Sequence, residues 1–184
     1  GDLTLGRNTP AGTSSSTHGY SSSGGGNNVI DKFSFSVDGD ATDVGDLIAV
    51  NDQLTGQSSS THGYVSGGAA GGYLDTIQKF TVASDANATD VGNLTLARGG
   101  CAGQSSTTHG YTSGGEAGST NVIDKFTIAS DANATDVGDL TSARHGVTGQ
   151  SSATNGYTTG TTFSTGTDRI DKFSFSSDSN AANI

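Results

Sequence analysis

Three histidines recur at one spacing in the 184-residue sequence: His18, His62 and His109 each lie between a Thr and a Gly-Tyr pair, and Asn155 holds the fourth such place. Imidazoles gathered on one face would make a metal site if their turns met near an axis. Read plainly, Thr-His-Gly is a hairpin turn in water. His145 stands outside the pattern and reads as a surface residue. A second set is acidic. Asp38-x-Asp40-x-x-Asp43, Asp85-x-Asn87-x-x-Asp90 and Asp131-x-Asn133-x-x-Asp136 space oxygen donors as the start of a calcium loop does, without its central Gly and distal Glu. Calcium is the one cofactor this spacing admits. Asx residues also close tight turns by bonding their own backbone, and that alone selects Asp and Asn here.

Other reactive groups are sparse. Cys101 is the only cysteine, so no intrachain disulfide forms and the redox compartment stays open. Asn87-Ala88-Thr89, Asn93-Leu94-Thr95 and Asn133-Ala134-Thr135 match the glycosylation sequon, in turns where Asn and Thr recur for structural reasons. No stretch breaks the local pattern to offer a unique Ser/His/Asp set, so no catalytic residue is assigned and the chain is read as non-enzymatic.

The elements that position these residues come from a repeat. Gly-[Asp/Asn]-Leu opens units at Gly1, Gly45, Gly92 and Gly138, dividing the chain into 1–44, 45–91, 92–137 and 138–184 as one repeat domain. In each unit a Gly-Tyr pair, an Ile-x-Lys-Phe segment and an Asx-rich stretch follow in that order. With 29 Gly and only 30% hydrophobic residues, helices have no apolar face to build on. Alternation such as Lys125-Phe126-Thr127-Ile128-Ala129 predicts strands instead. In the third unit they run through Gly99 to Ser106, Gly110 to Ser113, Val122 to Ala129 and Thr135 to Leu140. Periods of 44 to 47 residues with four short strands point to propeller blades.

The order Leu94-x-x-x-Arg98, Gly110-Tyr111-x-x-Gly114-Gly115, Ile123-Asp124, Val137-x-x-Leu140 resembles the kelch repeat of β-propellers. The likeness recurs once per unit, with departures. Asn51 replaces the Arg in the second unit, Gly160-Thr161 replaces Gly-Gly in the fourth, and Val44, Val91, Val137 or Ile184 stands at the kelch Trp position. The resemblance implies an all-β propeller of four-stranded antiparallel blades, four in this chain, wedged without Trp. Some kelch propellers are copper oxidases with a Tyr linked to a Cys, but no Tyr/His cluster accompanies Cys101 in the sequence.

The sequence starts at strand four and stops within it. One reading has the two ends share a blade and close a four-bladed ring; the other has four units of a wider ring, completed by neighbouring repeats or by homo-oligomers. Gly1 without Met is read as a processed or truncated start.

Net charge is −10, which excludes nucleic acid and anionic membrane surfaces as partners, and no apolar run is long enough to enter a bilayer. A Ser/Thr/Gly-rich surface with little charge suits a protein outside a cell, and the similar units resemble repeat arrays of environmental phage tail-fibre proteins. The expected role is display on a virion or extracellular surface and binding of a host-surface glycan or protein. Contact falls on the variable loops 67–73, 114–121 and 160–168, with Tyr73 and Phe163, and on the His18, His62, His109 and Asn155 turns. An intracellular kelch-like adaptor and a carbohydrate-active enzyme are the alternatives.

Overall fold

Gly-rich hairpins with alternating side chains fold into four antiparallel meanders. The structure, a computed structural model, describes residues 1–160 and 167–184. Blade 1 holds β1 (Ala11–Ser14), β2 (His18–Ser22), β3 (Val29–Ser34) and β4 (Thr42–Asp46). Blade 2 holds β5 (Thr55–Ser58), β6 (His62–Ser66), β7 (Thr76–Thr81) and β8 (Thr89–Asn93). Blade 3 holds β9 (Ala102–Ser105), β10 (His109–Ser113), β11 (Val122–Thr127) and β12 (Thr135–Asp139). Blade 4 holds β13 (Val147–Ser151), β14 (Asn155–Gly160), β15 (Ile170–Ser174) and β16 (Ala182–Asn183). Each sheet pairs its strands in chain order, and no helix occurs among the described residues. The first strand of each blade lies innermost, β1 against β5, β5 against β9 and β9 against β13. This is a β-propeller of four blades.

The strands fall close to those expected, with one systematic difference: His18, His62 and His109 begin strand two and do not sit in the turn. Strand four carries the Gly-Asp or Gly-Asn that opens the next unit in sequence, so each unit finishes its predecessor's blade. Ile30 and Asp31, neighbours in β3, are both fully buried, because a blade between two others hides both faces. A register shift between Val29 and Asp31 accommodates the pair, and it recurs in β7 and β11.

The core is three wedges between blades. Each sets a Tyr of one blade against a Phe of the next: Tyr20 and Phe80 at 5.3 Å between ring centroids, Tyr64 and Phe126 at 5.4 Å, Tyr111 and Phe173 at 5.5 Å. Ile and Leu of the first blade and a small Ala of the second complete each wedge. These tilted aromatic pairs supply the bulk that a Trp would bring.

The expected sharing of one blade by the two ends is not seen. Blade 4 forms its outer strand from Ala182 and Asn183 alone, paired with β15. Residues 1–5 lie on blade 1, where the Asp2 amide donates to Asp40 Oδ1 at 2.9 Å and the Ala41 amide donates to the Asp2 carbonyl at 2.9 Å.

Candidate functional site

The Asx-rich turns are latches between blades. The Asp46, Asn93 and Asp139 amides at the end of each fourth strand donate to Asn87, Asn133 and Asn180 Oδ1 of the following blade, each at 3.0 Å. Asp85 and Asp131 pair with Lys32 and Lys79 of the preceding blade, as Asp178 does with Lys125. Asp43, Asp90 and Asp136 face the other way and accept the amides of Gly45, Gly92 and Gly138. Three directions leave no shared centre. Asp38, Asp40, Asp43, Asp85, Asn87, Asp90, Asp131, Asn133 and Asp136 are therefore not brought together as a calcium cage, and no cluster of three His, Cys, Asp or Glu fit for a metal occurs among the described residues.

The histidines stay one per blade. Nδ1 of His18, His62 and His109 lies 2.9 Å from the hydroxyl of the preceding Thr, and Asn155 Nδ2 donates to Thr154 Oγ1 at 2.8 Å in the same place. Partial burial, then the neighbouring Lys79 or Lys125, holds the His62 and His109 pKa below the usual range.

Within blades 1, 3 and 4 a buried ion pair rivets strand three to the segment entering strand one: Arg7–Asp31 at 2.6 Å, Arg98–Asp124 at 3.1 Å and Arg144–Asp171 at 3.0 Å. The same carboxylates accept the amides and hydroxyls of Thr4, Thr95 and Thr141. Blade 2 replaces both partners, with Asn51 for Arg and Gln78 for Asp, and Gln78 Oε1 accepts the Ile48 amide at 2.8 Å. A charge buried without its partner costs several kcal/mol, so the two changes go together.

The inner strands line a channel of about 250 Å3 with Gly12, Gly56, Gly103 and Gly149 on its wall. At one end the turns between the first two strands form a hydroxyl-lined mouth of Ser58, Ser59, Ser105, Ser106 and Ser152. The opposite mouth, on the face of the variable loops, is built differently. The ninth residue of every unit, Thr9, Gln53, Gly100 and Gly146, has left-handed φ of 48°, 60°, 60° and 66°. These residues hydrogen-bond in series around the opening: the Gln53 amide to Thr9 Oγ1, the Gly100 amide to the Gln53 carbonyl, the Gly146 amide to the Gly100 carbonyl. Gly takes this conformation without penalty, whereas a side chain there costs about 1–3 kcal/mol. Thr9 and Gln53 carry that strain at the mouth, and the buried Gln53 Oε1 has no hydrogen-bond partner among the described residues.

Beside them stands Glu116, the only glutamate of the chain. Its carboxylate acts on Tyr73, whose exposed ring rises from the blade 2 loop: desolvation, then that carboxylate, holds the phenol above its usual pKa. Of the expected contact residues, Tyr73 thus adjoins the mouth. The His turns lie at the other end of the strands, and Phe163 lies outside the described residues. Cys101, on the channel wall, is buried and its thiol is pushed up to about 11, a poor nucleophile at neutral pH. Gln53 and Glu116 were not singled out in the sequence, though each had a mark: a non-Gly at the ninth position, and a residue type used once.

No protein-family model matches the chain, and a search of curated proteins finds no match. Among solved structures the chain is similar to one titled "Structure of YjhT", with a TM-score of 0.84 at 11% identity, over all of this chain and 67% of that one. The likeness is one of fold.

Proposed function

We infer that the protein is a non-enzymatic, kelch-like propeller acting outside a cell or on a virion, which binds a neutral glycan at the loop face. The observation that carries this reading is the group Tyr73, Glu116 and Gln53 at the channel mouth. An exposed aromatic ring offers a stacking face for the C–H side of a sugar, while the Glu116 carboxylate accepts sugar hydroxyls. Strained backbone at Gln53 fits a residue kept for contact. The net charge of −10 disfavours sulfated or phosphorylated glycans and leaves neutral ones.

A glycan array followed by calorimetry tests this. Retention of neutral glycans is expected, with Tyr73→Ala and Glu116→Gln each weakening binding at least tenfold, the order expected for one lost hot-spot contact. Gln53→Gly is expected to raise Tm by relieving strain and to weaken binding at the same time. Retention of no glycan, with capture of a peptide instead, overturns the reading.

A further inference from the structure

Each junction between blades repeats one set of contacts, and the seam between blade 4 and blade 1 presents both halves of that set unjoined. Phe80, Phe126 and Phe173 are 3%, 3% and 4% exposed, but Phe33, their equivalent on blade 1, is 38% exposed and its neighbour Phe35 is 57% exposed. Ile30, Ile77 and Ile123 are fully buried, whereas Ile170 on blade 4 is 40% exposed. A Cβ on Gly56, Gly103 or Gly149 would stand 2.1 to 2.2 Å from the carbonyl of the preceding blade's glycine, while one on Gly12 would meet nothing within 4 Å. The Ser14, Ser58 and Ser105 amides each donate to the Ser of the next inner strand, a series that stops at Ser151 among the described residues. Lys172 and Asp38 stand at the latch positions, with no ion pair between them. On blade 1 an open cavity of about 570 Å3, lined by Phe33, Val37 and Leu3, takes the place of a neighbour's Tyr and Ile.

We propose that this seam is the docking surface for a two-blade segment of the same repeat, making a six-bladed ring. Such a segment offers blade 4 a Phe-x-Ile strand, as Phe126 and Ile128 do for blade 2, and an Asp for Lys172, and offers blade 1 a Tyr, an Ile and an inner-strand glycine. Continuity with three like junctions supplies the chemistry. The number follows from length: this chain covers 67% of the YjhT chain, and the remaining third of that chain has the length of about two more units. A second copy of this chain brings four blades to a gap of two.

The order of residues selects a test segment. Gln57 Nε2 donates to Thr112 Oγ1 of the next blade at 3.0 Å, and Gln104 Nε2 to Thr158 Oγ1 at 3.0 Å. The equivalent of these Thr in blade 2 is Val65, which follows Thr13 in place of Gln. A blade that follows Gln150 therefore carries a hydroxyl there: residues 92–184 repeated after Ile184 supply Thr, and Ser21 of blade 1 supplies it at the closing junction. In the resulting six-unit chain a monomer is expected, with Tm about 10 °C above that of the 184-residue chain because closing the ring adds three junctions to the existing three. Phe33→Ser is expected to lower its Tm as much as Phe80→Ser does, while lowering the Tm of the 184-residue chain much less than Phe80→Ser does. Three results overturn the proposal: a six-unit chain that is no more stable or does not fold; a 184-residue chain that Phe33→Ser and Phe80→Ser destabilise equally; or a 184-residue dimer in sedimentation that Phe33→Ser dissociates, which would make a second copy the occupant.

Discussion

At the scale of single residues, the change of Arg to Asn51 and of Asp to Gln78 in one blade shows that a buried charge is kept or lost as a pair. Asn51→Arg alone and Gln78→Asp alone each bury an unpaired charge and are expected to cost about 3–5 kcal/mol in urea unfolding. The double variant is expected to recover most of that loss, since Arg98 and Asp124 show the same frame holding the pair. The histidines give a pH dependence of definite sign. His62 and His109 have folded-state pKa values below the unfolded one, so the unfolded chain binds protons more readily. Their contribution is present above a pH of roughly 6.5 and is lost as pH falls through the range below it. The drop in Tm between pH 7.5 and 5.5 is expected to shrink in His62→Asn/His109→Asn, because Asn155 already makes the same bond to its Thr.

At the scale of elements, the inner-strand glycines set how closely blades approach. Gly103→Ala places a Cβ 2.2 Å from the Gly56 carbonyl, and overpacking of this kind costs about 1–3 kcal/mol. Gly12→Ala, at the same repeat position, meets open space and is expected to leave thermal stability unchanged. Calorimetry of the two variants checks both. The repeat made these elements legible: Gly-Tyr, Ile-x-Lys-Phe and Asx landmarks placed all four strands of the third unit to within a few residues. The partners of the Asx residues were not legible, because Asp43 serves its own strand while Asp85 and Asn87 serve the preceding blade, 53 and 41 residues away. Composition shows that an Asx is there and is silent on which blade it faces. The site was legible in part for the same reason. Tyr73 stood out by breaking the unit pattern, whereas the influence of Glu116 on it crosses from blade 3 to blade 2.

At the scale of the molecule, stability lies in junctions between units, as in other repeat proteins. Blades 2 and 3 are wedged on both sides, blades 1 and 4 on one. Hydrogen exchange is therefore expected to be slowest in β6, β7, β10 and β11 and fastest in β16, whose two residues are exposed. Equal protection across the four blades would contradict this.

Strand four straddles the boundary between one unit and the next, so the period has no privileged cutting point. A gene that gains or loses one period, wherever in the period the crossover falls, still encodes whole blades with a latch at every joint. Under the six-bladed proposal, the number of units, more than the folding of any one blade, decides whether the seam closes.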